Sequence, residues 1–342
     1  MINPFYIDAH ISFKEIRELD EQGKNSRVIL AHDKNLDCNL VIKEIKKNIF
    51  DYDRYFNEAR KLYLSAHPNV VQIQYAAQDS NNIYLGLPFY KNGSIHNLMN
   101  EKFLTVSEII RYSIQFLSGL YHIHTKGLIH FDIKPNNIML SDRDEALLSD
   151  FGLAEKINDA GFASPEMLYN LHRSPESFSD EELDFTTDIY EAGVTMYRML
   201  VGHEQFNNEA DQLHSTNNPV ELILNGSFPF KNYPLHVPRS IIKIVNKCLE
   251  KNKKDRYQSV QQILNDLSKI ESADSLHWRI HPSKKEIVWI GIKKGAKVTI
   301  EFDMKKNKCY GRKELSSGKH QKISEYCKDA VKESDIRSLL TK

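Results

Sequence analysis

The hydrophobic pattern of this chain changes period once, and that change limits the folds open to it. Up to about residue 90 the apolar residues fall in short runs rich in branched side chains, and 11–19, 27–31, 39–45, 70–75 and 83–87 read as strands. One segment, 52–66, has helical spacing instead, with Phe56, Ala59, Leu62 and Tyr63 on one face; His67-Pro68-Asn69 ends it. Beyond Ser107 the spacing turns helical, over 107–124, 188–201, 240–250 and 259–270. Strands first and helices second predict an α+β chain of two lobes. A length of 342 residues allows roughly two to three domain units.

Composition removes several classes. With 41% hydrophobic and 27% charged residues the chain is of globular type, against wholesale disorder. No apolar run reaches the length of about 18 residues expected of a membrane-spanning helix. The opening MINPFYIDAH lacks the basic start and apolar stretch of a signal peptide. Cys38, Cys248, Cys309 and Cys327 are far apart and form no CxxC pair, which fits a reducing compartment better than a disulfide framework or a zinc site. The expectation is a folded, soluble, cytoplasmic protein with no membrane partner.

The balanced charge, 46 basic against 46 acidic residues, conceals an asymmetry. Residues 275–342 carry 17 basic and 8 acidic side chains, a net +9, so the preceding part carries −9. Trp278 and Trp289 also lie in this tail, whose strand patterns at 286–292 and 297–303 precede a helix near 322–340. A domain boundary is placed at 270–275. The basic tail reads as a small α/β domain packed on the rest, with two further readings: docking of a protein partner or substrate, and nucleic-acid binding through Trp278, Trp289, Tyr310 and the lysines.

The chemistry is concentrated in 128–152. His130-Phe131-Asp132-Ile133-Lys134-Pro135-Asn136-Asn137 is followed by Asp150-Phe151-Gly152. Phosphoryl transfer needs a carboxylate to orient an attacking hydroxyl and oxygen ligands to hold Mg²⁺ on a triphosphate. Asp132 suits the first task, and Asn137 and Asp150 the second. Lys134 is placed to neutralise charge on the transferred group. Any one of these aspartates alone would read as a turn or cap residue; the set at this spacing does not.

Together these residues resemble the eukaryotic-type protein kinase family, with HxDxKPxN standing for its catalytic loop and Asp-Phe-Gly for its magnesium loop. Lys134 resembles the serine/threonine branch, and the resemblance covers about 12–270. It implies a two-lobed fold, a strand-rich lobe with hinge over 1–90 and a helical lobe over 91–272, followed by the accessory segment 275–342. It implies ATP and Mg²⁺ as cofactors and a protein substrate. Lys43 matches the strand lysine on the phosphates and Glu58 its ion-pair partner. Val28, Val41 and Met139 would enclose the adenine, with Leu87 as gatekeeper, the Pro88 carbonyl and the Tyr90 N–H as hinge contacts. Asp188 matches the buried helix aspartate under the catalytic loop. Leu62, Ile73, His130 and Phe151 match a spine of stacked side chains. Ser164-Pro165-Glu166 resembles the Ala-Pro-Glu anchor, with Glu166 expected to pair with Arg256.

The sequence departs from the family in three places. Of the glycines in GxGxxGxV only Gly23 remains; Glu21 and Ser26 replace the others, which predicts weaker nucleotide binding. Phe131 stands where an arginine usually precedes the catalytic aspartate, the non-RD pattern. Counted to Glu166, the activation segment is short, holds Ser164 as its only hydroxyl, and puts Asp159 where a threonine is usual. These departures imply activity without phosphorylation of that segment. They also leave two alternatives, a pseudokinase acting as a binding module and a small-molecule kinase of the aminoglycoside-phosphotransferase type.

Overall fold

The structure, a computed structural model, describes residues 10–23, 26–47, 60–61, 63–158, 161–163, 171–179, 182–270, 274–283, 286–293, 295–315 and 317–341. The chain divides into two compact units, Met1–Lys91 and Asn92–Lys342.

In the first unit the strands β1 (Phe13–Gly23), β2 (Ser26–Asp33), β3 (Cys38–Lys46), β4 (Tyr75–Gln78) and β5 (Asn82–Pro88) form one antiparallel sheet in the order β1-β2-β3-β5-β4. Register decides which side chains share a face. Val28 lies opposite Lys43, and Lys43 opposite Leu85; Leu30 lies opposite Val41, and Val41 opposite Leu87. Opposed residues and alternate residues along a strand project to the same side. Val28, Val41, Lys43 and Leu87 therefore line one face. The other face buries Ile29, Ala31, Leu40 and Ile42 against Phe13, Tyr75 and Tyr84. The strand expected at 70–75 forms later, at Tyr75–Gln78. The turn at 67–69 delays it: the Val70 N–H returns to the His67 carbonyl at 3.0 Å, and Val70 and Val71 are spent as buried anchors.

The second unit opens with α1 (Ile95–Glu101) and α2 (Val106–Thr125), each started by a reciprocal capping box, Ser94 with Asn97 and Thr105 with Glu108. At its centre is α3 (Phe185–Val201), with every residue from Thr186 to Val201 buried. A helix covered on all sides is core rather than surface. Around it lie α4 (His203–His214), α5 (Pro219–Leu224), α6 (Arg239–Cys248) and α7 (Val260–Ser268). Periodicity located α2, α3, α6 and α7 to within a few residues but passed over α1, α4 and α5, which are short or mostly polar. Two small ribbons hold the loops that matter most: β6 (Leu128–Ile129) pairs with β9 (Glu155–Lys156), and β7 (Ile138–Leu140) with β8 (Ala146–Leu148).

The same unit ends in a five-stranded antiparallel meander, β10 (Arg279–Pro282), β11 (Glu286–Lys293), β12 (Ala296–Asp303), β13 (Lys308–Glu314) and β14 (His320–Lys322), and a last helix, α8 (Glu333–Leu340). One face of this sheet and α8 close a core of Trp278, Trp289, Ile300, Phe302, Tyr326 and Ile336, onto which Phe103 and Leu235 pack. The indole N–H of Trp278 donates to the Leu340 carbonyl at 2.9 Å and that of Trp289 to His236 Nδ1 at 3.3 Å. Both tryptophans face inward. Neither ring is therefore presented for base stacking, the last of the three readings of this tail, and of the three aromatics named for it Tyr310 alone is exposed, at 43%.

Candidate active site

The loop between β6 and β7 is shaped from below by α3. Asp188, fully buried in the first turn of that helix, accepts the N–H groups of His130 and Phe131, both at 2.8 Å. The two bonds fix Phe131 at a φ of 62°, a left-handed conformation that side chains rarely adopt and that is kept only where the surroundings enforce it. His130 locks the next step. Its Nδ1 accepts the Asp132 N–H at 3.3 Å, which leaves Nε2 to donate to the Ser149 carbonyl at 3.1 Å. Burial lowers the pKa of this imidazole, in keeping with the neutral tautomer. Its ring also meets that of Phe151, with centroids 5.0 Å apart.

These constraints bring Asp132, Lys134 and Asn137 together. The Lys134 ammonium lies 2.8 Å from Asp132 Oδ1 and 2.9 Å from Oδ2. Asn137, at the end of a short 3₁₀ turn begun by Pro135, donates through Nδ2 to Asp132 Oδ2 at 2.7 Å and to the Asp132 carbonyl at 2.9 Å. With the amide nitrogen committed, Asn137 Oδ1 is left as an acceptor. The Asn137 carbonyl accepts the N–H and hydroxyl of Ser149, at 2.9 and 3.0 Å, which ties the loop directly to Asp150. Asp150 also has a φ of 62° and presents an exposed carboxylate. An amide oxygen and a carboxylate are hard oxygen donors and fit Mg²⁺, which takes one or two protein ligands and completes its shell with water and phosphate. Met139 lies half-buried on β7, opposite Leu147.

In the first unit Val28, Val41, Lys43 and Leu87 share a sheet face as described. Pro88 ends β5 opposite Leu40, and Tyr90 follows, its hydroxyl pKa raised by burial. Gly23 closes β1 opposite Ser26. Glu58, Leu62, Asp159, Ser164, Pro165 and Glu166 lie outside the described residues.

One expectation is corrected. Arg256, whose side chain is fully buried, pairs not with Glu166 but with Glu176, through Nη1 to Oε1 and Nη2 to Oε2, each at 2.7 Å. Its remaining donors go to the carbonyls of Glu250, Thr186 and Lys251, so the guanidinium has no capacity left for a second carboxylate. The anchor is Ser174-Pro175-Glu176, a second copy of the same tripeptide ten positions on. Measured to Glu176, the activation segment is not truncated, and it contains Tyr169 and Ser174 as well as Ser164. The alignment of Asp159 with a threonine, counted from Glu166, falls with it.

The loop has further supports that sequence reasoning missed. Glu191, one turn along α3 from Asp188, accepts the Ile133 N–H at 2.9 Å. Thr195 Oγ1 and His172 Nδ1 both donate to the Ile133 carbonyl, at 3.0 Å each. Among the described residues no helix is long and apolar enough to cross a membrane.

A protein kinase domain model matches residues 15–267. The chain belongs to the protein kinase domain family. It is 27% identical to a probable serine/threonine-protein kinase of Clostridium acetobutylicum, over 73% of this chain and 38% of the relative. It is 28% identical to one of Clostridium perfringens, over 75% and 38%. A third, of Lactococcus lactis, is 24% identical over 80% of this chain and 44% of the relative. The chain thus spans about two-fifths of the length of these curated relatives.

Proposed function

We propose that the chain is a serine/threonine protein kinase that transfers the γ-phosphoryl group of ATP, with Mg²⁺, to a hydroxyl of a protein substrate. The observation that carries this reading is the joined set Asp132, Lys134, Asn137 and Asp150. The Asp132 carboxylate orients the substrate hydroxyl and takes its proton as the oxygen bonds to the γ-phosphorus and the bond to ADP breaks. Lys134, in contact with the same carboxylate, faces the negative charge spread over the transferring group. Asn137 and Asp150 would hold Mg²⁺, which would supply positive charge against the phosphates. Lys43 takes the phosphates, with Glu58 as the ion-pair partner that the family resemblance implies. Val28, Val41, Met139 and Leu87 enclose the adenine, and the Pro88 carbonyl and Tyr90 N–H bond its edge.

Transfer of radiolabelled γ-phosphate to the protein itself and to a basic generic substrate, compared with Asp132→Ala, tests this. Label on serine or threonine that the variant loses is the expected result. Nucleotide binding by thermal shift without any transfer would turn the reading to a pseudokinase. Transfer to a small alcohol but to no protein would turn it to a small-molecule kinase.

Activity without phosphorylation of the activation segment belongs to the same proposal, now on a different ground. Phe131 supports it: the ring is fully buried in an apolar cluster with Ile129, Ala163 and Leu183, against Leu153, Ile157 and Phe185. Leu153, Ile157 and Ala163 belong to that segment, so apolar contact supplies the tether that a phosphate on arginine supplies elsewhere in the family. Phosphatase treatment is expected to leave transfer intact. Abolition of activity, with the lost phosphate mapped to 150–176, would sink it.

For residues 275–342 we favour a structural extension of the helical unit, docked through its apolar core. Salt-sensitive retention on oligonucleotides would instead support nucleic-acid binding.

A further inference from the structure

A buried acidic side chain in the middle of a core helix needs a reason to be there, because an apolar residue of the same size would be cheaper. Glu191 is such a residue. It is 2% exposed, and its Oε2 accepts the N–H of Ile133, the residue that separates Asp132 from Lys134. The other end of the same residue is held too, since the Ile133 carbonyl accepts from Thr195 Oγ1 and His172 Nδ1. Asp188, Glu191 and Thr195 lie at spacings of three and four on α3 and so form one row, the row that faces the loop. Asp188 sets the turn that begins the loop; Glu191 and Thr195 set the step that follows.

The loop is extended at Lys134, with φ −152° and ψ 160°. Side chains two apart in extended chain project the same way, and the one between them projects oppositely. Ile133 is fully buried, and Asp132 and Lys134 share the opposite side of the loop, where their side chains meet. Whatever fixes the Ile133 backbone therefore fixes the geometry of the pair in contact at 2.8 Å.

We propose that Glu191 is a positioning residue for phosphoryl transfer: its carboxyl group grips the Ile133 amide and thereby holds Asp132 and Lys134 in their working arrangement. This rests on the kinase reading above. The groups facing Glu191 are Asp188 on its own helix and Asp132 and Lys134 on the loop; His172 lies against the Glu191 backbone, and His124 is bonded to Asp188 at 2.7 Å. Burial, then the negative charges of Asp188 and Asp132, raise the Glu191 pKa well above the ordinary carboxyl range, so the neutral acid is favoured. A neutral carboxyl still accepts the Ile133 N–H. Ionisation, as pH rises through this raised value, adds negative charge beside Lys134, where the transferring group needs positive charge.

The test compares Glu191→Gln, Glu191→Ser and Thr195→Val by steady-state transfer across pH and by amide hydrogen exchange at Ile133. Glutamine keeps an acceptor and the shape, and serine removes both. Serine is expected to lower kcat about 10-fold or more with KM for ATP within about 2-fold, as when a reacting group loses its alignment. The Ile133 amide should exchange at least about 10-fold faster in that variant. Glutamine should keep neutral-pH kcat within about 3-fold, keep Ile133 protected, and move the alkaline limb of the pH profile upward. Thr195→Val serves if the serine variant does not fold, with a several-fold loss of kcat expected. Folded variants with wild-type kcat, pH profile and Ile133 exchange would overturn the proposal. A wild-type protein without transfer would overturn the kinase reading alone, because the exchange measurement still reports whether Glu191 holds Ile133.

Discussion

Glu176→Ala tests which of the two Ser-Pro-Glu tripeptides anchors the helical unit. It removes a carboxylate that makes two charged hydrogen bonds of 2.7 Å to Arg256, where the two side chains are 0% and 4% exposed. An exposed pair would be worth about 0–1 kcal/mol, but breaking a buried one by deleting one partner costs about 3–5 kcal/mol. The low end of that range applies. Arg256 keeps three carbonyl partners, from Glu250, Thr186 and Lys251, so its charge is not left wholly bare. The expected loss is about 3 kcal/mol for Glu176→Ala and about half that for Glu176→Gln, which retains an acceptor. Glu166→Ala should cost clearly less than Glu176→Ala, because Arg256 has no donor left for a second carboxylate. Urea denaturation at pH 7 measures all three. The pH dependence carries a second check. Burial alone would raise the Glu176 pKa, but the Arg256 hydrogen bonds and charge outweigh it and leave the carboxyl below its usual range. The pair's contribution is then fully present above the unfolded value of about 4.3 and is lost as pH falls through the lower folded value. Equal costs at Glu166 and Glu176, or less than about 1 kcal/mol at Glu176, would refute the assignment of the anchor.

Other perturbations follow from the same contacts. Asp150→Asn should abolish Mg²⁺-dependent transfer while leaving the urea midpoint within a few tenths of a molar of wild type, since the side chain is exposed. Phe131→Ala should cost about 3–5 kcal/mol in stability, as a buried aromatic replaced by a methyl group does, measured by urea denaturation. His236 is buried with its pKa pushed down to about 4 by burial, then by Arg337. The unfolded imidazole titrates near 6.5, so between these values the unfolded chain binds a proton that the folded one refuses. Stability should fall by about 3 kcal/mol as pH drops from 7 to 4, and His236→Gln should flatten that slope.

The candidate loop was legible because its residues are nearly contiguous, and the structure brings Asp132, Lys134 and Asn137 into contact. Asp188 was legible from the motif around it. Glu191 was not, since a glutamate on a helix reads as a solvent-facing side chain, and nothing in the local spacing shows that α3 is covered on every side. The anchor was misplaced for another reason. Ser-Pro-Glu occurs at both 164–166 and 174–176, and local composition does not separate them. Only the partner in space does, and Arg256 is 80 residues away from Glu176 along the chain. Helices α1, α4 and α5 were missed where caps and tertiary burial, not periodicity, establish the element.

The basic tail shows most clearly how far charge counting reaches. A net +9 on 275–342 against −9 on the rest leaves open what holds the tail in place. At the seam, Trp278, Trp289 and Ile336 pack with Phe103 and Leu235, Trp289 bonds His236, and Arg337 donates to the Val237 carbonyl at 2.9 Å. An ion pair at the seam, Arg279 with Glu108 at 3.4 Å, has both side chains partly exposed, at 35% and 21%, and so contributes about 1 kcal/mol at most. Burial of apolar area does not weaken with ionic strength, whereas exposed pairs are screened within about 3 Å at 1 M salt. Amide protection across β11 and β12 should therefore be the same in 0.05 and 1 M sodium chloride, and Trp289→Ala should reduce it in both. Loss of protection in high salt alone would mean that charge, not the tryptophan core, holds this sheet in place.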